Sequence, residues 1–122
     1  MIKLLVVEDE QSIAEMYRFK FSNDGFTVFT AANGLEGLEA SEKHRPDIIL
    51  LDLRMPVMSG EEMLEKLRKT EWGADIRVVI LTNISRDEAP HNLRFLNVDR
   101  YIVKAHHTPA QVLEIVKEIL SI

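Results

Sequence analysis

Short apolar runs alternate along the chain with longer stretches in which apolar residues recur at helical spacing. Residues 2–7 are rich in Leu and Val and close at Glu8-Asp9-Glu10, which reads as a strand with a polar end. Ile13, Met16, Tyr17 and Phe21 then fall on one helical face, and Asp24-Gly25 stops that helix. Residues 26–31 alternate with threonines, as a strand at a sheet edge would. Asn33 can cap a helix carrying Leu35 and Leu38 and running to about residue 44, where Arg45-Pro46 breaks it. The next strand covers residues 47–51. Its Ile48, Ile49, Leu50 and Leu51 are consecutive apolar residues, the pattern of a strand buried on both faces of a parallel sheet.

That strand stops at Asp52, and Pro56 forces a loop. Ser59-Gly60-Glu61-Glu62 has capping-box spacing and opens a helix with Met63, Leu64 and Leu67 as its buried stripe; Trp72-Gly73 lies at or beyond its end. Residues 77–81 are a further β-branched run ending at Thr82. A helix is predicted over 86–95, with Pro90 distorting or delaying its first turn because proline lacks an N–H. Residues 100–103 predict the last strand, leading to Lys104. Thr108-Pro109-Ala110-Gln111 starts a final helix whose buried face carries Val112, Ile115, Val116, Ile119 and Leu120. Strand and helix thus alternate five times, which predicts a doubly wound α/β domain with a five-stranded parallel sheet and five helices.

Composition narrows what such a domain does. A length of 122 residues suits one domain with a substantial core, and 46% hydrophobic with 29% charged residues is a globular composition. The formal net charge of −5 argues against non-specific nucleic-acid binding. There is no cysteine, hence no disulfide framework and no thiolate metal site. No run approaches the ~18 apolar residues needed to span a bilayer, and the N-terminal apolar run is too short for a signal peptide. The expectation is a cytoplasmic protein with no membrane or nucleic-acid partner.

Four strands end in polar groups: Glu8-Asp9, Asp52, Thr82 and Lys104. In a parallel sheet these ends share one edge, where open α/β sheets bind ligands. Each group also has an ordinary reading: Glu8, Asp9, Asp52 and Thr82 as caps or turn residues, Lys104 as a solvated lysine. Their coincidence favours a site. Neighbouring carboxylates repel unless a cation intervenes, and an oxygen-only donor set favours Mg2+ over Zn2+. A free carboxylate can attack phosphorus to give an aspartyl phosphate, whose charge metal, ammonium and hydroxyl groups would offset.

Four stretches, in order and at these spacings, resemble the receiver domain of two-component response regulators. They are Leu5-Val6-Val7-Glu8-Asp9-Glu10, then Asp52 to Gly60 (Asp-Leu-Arg-Met-Pro-Val-Met-Ser-Gly), then Leu81-Thr82, then Asp99-Arg100-Tyr101-Ile102-Val103-Lys104. The resemblance covers essentially all of residues 1–122 and implies a flavodoxin-like fold with strand order 2-1-3-4-5. It implies that Asp52 is the phosphoacceptor, and that Glu8, Asp9, Asp52 and the backbone carbonyl of Arg54 hold Mg2+. Thr82 matches the hydroxyl that closes on the phosphoryl group, Lys104 the cation of the site, and Tyr101 an aromatic switch. Such a domain is a signalling phosphoacceptor, assisting its own phosphorylation and dephosphorylation, rather than an enzyme with a separate substrate. Its donor would be a histidine kinase or histidine phosphotransfer protein. Its output would be a protein target, or self-association, through the fourth helix, last strand and last helix, whether the chain stands alone or is excised from a longer one.

The chain departs from that family in places. Ala105 stands where proline usually follows the lysine; without proline a cis bond costs roughly 2.5–4 kcal/mol, so Lys104-Ala105 is expected to be trans. Asn83 follows the hydroxyl where a small residue is usual. His106 and His107 read as solvent-facing. Rival functions fare worse. An aspartate-based phosphohydrolase usually has an acid two residues after its nucleophile, where this chain has Arg54. A flavin phosphate would be repelled by Glu8-Asp9-Glu10, and no GxxxxGK[ST] loop exists. A receiver-like module that is never phosphorylated would have no use for the full acid set.

Overall fold

The computed structural model describes residues 1–122. Its sheet has β1 (Lys3–Val7), β2 (Thr27–Ala31), β3 (Ile48–Leu51), β4 (Arg77–Thr82) and β5 (Arg100–Val103), all parallel in the order β2-β1-β3-β4-β5. The apolar β3, and β1, apolar after Lys3, lie inside the sheet and the threonine-bearing β2 at an edge, as the patterns predict. Helices α1 (Gln11–Asn23), α2 (Gly34–His44), α3 (Gly60–Arg68) and α4 (Pro109–Leu120) cover the faces.

Alternation along the strands divides the core in two. Leu4, Val6, Ile48, Leu50, Val79, Leu81 and Ile102 face one way, against Tyr17 and Phe21 of α1 and Val112 and Val116 of α4. Leu5, Val7, Ile49, Leu51, Val78 and Ile80 face the other, against Met63, Leu64 and Leu67 of α3. Each large side chain so buried contributes about 1.5–3 kcal/mol, which is why strand register is set by these two faces. On α2 the inward positions are Gly34, Gly37 and Ser41, while Leu35 is 43% exposed. Small residues there let the helix approach closely: a Cβ on Gly37 would sit 2.8 Å from the Met63 sulfur and 3.0 Å from Val7 methyls. Met16 likewise turns outward, at 43% exposure.

The predicted five helices are four. The stretch expected to be the fourth helix, 86–95, forms two 3-10 turns, Arg86–Glu88 and His91–Phe95. Pro90 separates them. Ala89, preceding it, is extended (φ −67°, ψ 149°), because the proline ring disfavours helical geometry in the residue before it. Neither piece is then long enough to propagate as an α-helix. No peptide bond is cis, so Lys104-Ala105 is trans, and residues Lys104–His106 make a 3-10 turn. Of the two capping boxes read from the sequence, Thr108 and Gln111 form a complete one, whereas at Ser59 only one half forms, the hydroxyl accepting from the Glu62 N–H at 3.2 Å.

Arg68, at the end of α3, fastens the opposite edge of the sheet. Its guanidinium donates to the carbonyls of Gly73, Ala74, Ile76, Leu96 and Asn97 at 2.7–3.3 Å. These belong to the two connections that lead into β4 and β5. Lysine cannot reproduce that planar fork. Arg68→Lys is expected to lower unfolding stability by about 1–3 kcal/mol, the cost of leaving part-buried carbonyls unpaired. Equilibrium urea unfolding measures it, and an unchanged midpoint would show that the fork holds nothing.

Candidate functional site

The C-terminal ends of β1, β3, β4 and β5 converge on one cleft of about 340 Å3, lined by Asp9, Glu10, Asp52, Arg54, Thr82, Asn83, Ile84, Glu88 and Lys104. Asp52 is carried there by β3, whose four residues are all fully buried. Its own backbone N–H donates to the Val7 carbonyl at 3.1 Å, continuing the β1–β3 ladder. α3 starts directly behind it: the Gly60 N–H donates to the Leu53 carbonyl at 3.0 Å, and a Cβ on Gly60 would lie 2.0 Å from the Asp52 carbonyl oxygen. The loop between them turns tightly at Val57 (φ 70°), where the Met58 N–H donates to the Pro56 carbonyl at 2.7 Å. The N-terminus of α2 buttresses it, with the Gly34 N–H donating to the Met58 carbonyl at 2.8 Å.

Glu8, Asp9 and Asp52 offer carboxylate oxygens that all lie within 4.8 Å of one another; Glu8 and Asp52 are buried and Asp9 is exposed. Lys104 reaches across from β5. Its ammonium donates to Asp52 Oδ2 at 3.1 Å and forms a shorter contact with Glu8 Oε1. Glu8 Oε2 also accepts from the Glu10 N–H at 3.1 Å. Burial pushes the Glu8 carboxyl up, against the pull of Lys104 and the Glu10 N–H, and the Asp52 charge adds to the rise. Burial alone would pull Lys104 down, but the Glu8 hydrogen bond and the Asp52 charge outweigh it and hold the ammonium above the ordinary lysine range. Thr82, 1% exposed, closes the cleft floor, and its hydroxyl accepts from the Ile84 N–H at 3.4 Å.

A profile of the response regulator receiver domain matches residues 4–117. The chain belongs to the response regulator receiver domain family. The receiver is similar to sporulation initiation phosphotransferase F of Bacillus subtilis (strain 168), 39% identical over 80 residues, 66% of this chain and 63% of that protein. The alkaline phosphatase synthesis transcriptional regulatory protein PhoP of the same organism is 33% identical over 120 residues, 97% of this chain and 48% of its own length. The chain thus spans 48–63% of the length of these sequence relatives. Among solved structures, the chemotaxis protein CheY4 of Vibrio cholerae superposes with a TM-score of 0.89 at 29% identity, covering 98% of both chains. Response regulator TrrA of Thermotoga maritima, in complex with Mg2+-BeF, gives 0.85 at 30% identity over 98% of this chain and 99% of that one. Receiver domains are signalling domains of two-component systems; as a family they are phosphorylated on aspartate, bind Mg2+ at an acidic pocket, and meet histidine kinases or phosphotransfer proteins. No helix of this receiver is long and apolar enough to cross a membrane.

Of the residues singled out in the sequence, Asp9, Asp52, Arg54, Thr82 and Lys104 line the cleft, and Glu8 lies beneath it on Lys104. Tyr101 does not line it. Its hydroxyl donates to the Ile84 carbonyl at 2.7 Å, tying β5 to the loop after Thr82, while Arg86 covers its ring at 5.7 Å and donates to its carbonyl at 3.1 Å. The roles of two residues were not anticipated. Gly60 belongs to the capping box and to the Asp52–Gly60 stretch of the family resemblance, but its contact with the Asp52 carbonyl exists only once α3 docks on β3. Glu88 was assigned to a helix; Pro90 was the signal that this helix fails.

Gly60→Ala tests how closely α3 holds Asp52. The alanine would gain helix propensity of roughly 0.5–1 kcal/mol. Overlap with a backbone carbonyl that cannot swing away outweighs this, and overpacking costs about 1–3 kcal/mol. A net loss of stability on urea unfolding is expected, with backbone amide shifts at Asp52 and Leu53; a stabilised variant with unmoved shifts would contradict the contact.

Proposed function

We propose that this receiver accepts a phosphoryl group on Asp52 from a histidine kinase or histidine phosphotransfer protein, with Mg2+, and passes the signal on through a protein-binding surface. One observation carries the reading: a carboxylate at a buried strand end, opening on a cleft, with an ammonium 3.1 Å from its Oδ2 and two further carboxylates within 4.8 Å. A structural acid would need its cation but not two more acids beside it. The relatives and the TrrA complex with Mg2+-BeF support the same reading.

The donor set fits a hard divalent cation. Glu8, Asp9 and Asp52 present only oxygen, one of them from the exposed side, and Arg54 borders the same cleft and could add its carbonyl. Bound there, Mg2+ would offset negative charge on the phosphoryl oxygens.

The chain's own residues supply the rest. Asp52 forms the new P–O bond as the bond from phosphorus to the donor imidazole nitrogen breaks, and the electron pair leaves with that nitrogen. Lys104 holds the Asp52 carboxylate in place beforehand and offers its ammonium to the phosphoryl group afterwards. Thr82 offers a hydroxyl from the floor, and small motions there are felt at Tyr101 through the Ile84 carbonyl. The output surface in this reading is the segment over 86–103 with α4. Because 86–95 is not an α-helix, that surface is made of turns fastened by Arg86 and Tyr101.

Mass spectrometry after incubation with a small phosphodonor and Mg2+ is expected to show one added phosphoryl group, mapped to Asp52. Asp52→Asn should remove it, since an amide is not an adequate nucleophile; a label persisting on another residue would refute the assignment. Asp9→Ala is expected to weaken Mg2+ binding about tenfold or more by calorimetry, and unchanged affinity would take the acids out of the metal site. Lys104→Ala should still bind Mg2+ yet lose the phosphorylation-dependent shifts of Thr82 and Tyr101 amides.

A further inference from the structure

Glu88 is an acid that the phosphoacceptor machinery does not use. It reaches the cleft because the chain between β4 and β5 is not an α-helix. The turn Arg86–Glu88 ends at Ala89-Pro90, and the Glu88 side chain folds back so that Oε1 accepts from the Ser85 hydroxyl at 2.9 Å. Glu88 lines the same opening as Asp52, Arg54, Thr82 and Lys104. It is exposed and lies outside the set of acids within metal-sharing distance, which comprises Glu8, Asp9 and Asp52. It makes no ion pair. A free charge at a rim acts on whatever charged group passes it.

The sign of that action follows from the lining. Asp9, Glu10, Asp52 and Glu88, with Glu8 beneath them on Lys104, bring five negative charges, and Arg54 and Lys104 two positive ones, leaving −3. A divalent cation leaves the site at −1, and without Glu88 the same loaded site would be neutral. We propose that Glu88 is a donor-specificity residue: its carboxylate keeps the loaded cleft from attracting free anionic phosphodonors, and so discriminates among donors by their charge. This rests on Asp52 being the phosphoacceptor. The reaction with an acyl phosphate makes the cost plain. The Asp52 oxygen bonds to phosphorus, the bond from phosphorus to the donor's acyl oxygen breaks, and acetate leaves with that electron pair. The donor enters with about two negative charges past Glu88. Phosphoramidate enters with about one, and its nitrogen leaves as ammonia on taking up a proton.

The test compares the whole chain with Glu88→Gln and Glu88→Lys in Mg2+, following Asp52 labelling by mass spectrometry with acetyl phosphate and with phosphoramidate. At an ionic strength of ~10 mM, Glu88→Gln is expected to raise the acetyl phosphate rate roughly three- to fivefold and the phosphoramidate rate about twofold, with Glu88→Lys further in the same order. The gains should collapse at ~0.5 M salt. Calorimetry of Mg2+ alone should move the other way, with affinity about two- to fourfold weaker in Glu88→Gln at low salt, because one attracting charge has gone. A lost turn would not quicken labelling and weaken the metal together. Equal factors for the two donors, salt-independent factors, or rates equal to the wild type would overturn the proposal while leaving Asp52 as acceptor. Failure of the wild type to label at Asp52 with either donor would overturn both.

Discussion

The ion pair of Lys104 with Asp52 and Glu8 is the interaction on which the rest of the arrangement depends. It joins the ends of three strands, β1, β3 and β5, that the sheet brings to one edge. Its acids are buried and its lysine is 11% exposed. At such depth a lone carboxylate is costly, and two adjacent ones more so. The ammonium is what lets both remain at the end of an apolar sheet.

That core is rigid where the chemistry needs it to be. β3 is buried on both faces, the β1 ladder runs on to the Asp52 N–H, and α3 presses Gly60 against the Asp52 carbonyl. The Asp52 carboxylate therefore sits on a strand end with little freedom, which is how precise sites are built. The opposite side of the cleft is built differently. Beyond Thr82 the chain makes short 3-10 turns, with few buried side chains and long-range ties through Arg86 and Tyr101. Elements that change with a signal are drawn from such lightly packed segments.

The departures from the family pattern, and the proline that breaks the predicted helix, fall mainly on this second side. Ala105 is accommodated by a trans bond and a 3-10 turn, with Lys104 still reaching both acids. Pro90 replaces a helix by two turns, and the consequence reaches the cleft as Glu88. None of these changes touches Glu8, Asp9 or Asp52. The two sides of the cleft are thus held differently: the Asp52 side by packing, the side beyond Thr82 by turn geometry.

The sequence by itself determined the sheet and which polar residues gather at the cleft. Apolar runs at residues 48–51 and 78–81 fit strands buried on both faces, and a parallel sheet gathers their polar ends. That reasoning reached Glu8, Asp9, Asp52, Thr82 and Lys104 before any contact was known. Tertiary structure decided what depends on approach between distant segments. Leu35 and Met16 fit a helical stripe but face outward, because α2 docks through its glycines and α1 through Tyr17 and Phe21. Helical spacing over 86–95 was outweighed by one proline, since periodicity reports a face but not whether the backbone can continue. Arg68, Gly60 and Glu88 owe their roles to carbonyls and cleft walls contributed by other elements. Spacing along a chain records which side of its own element a residue occupies, and carries no record of what is folded against it.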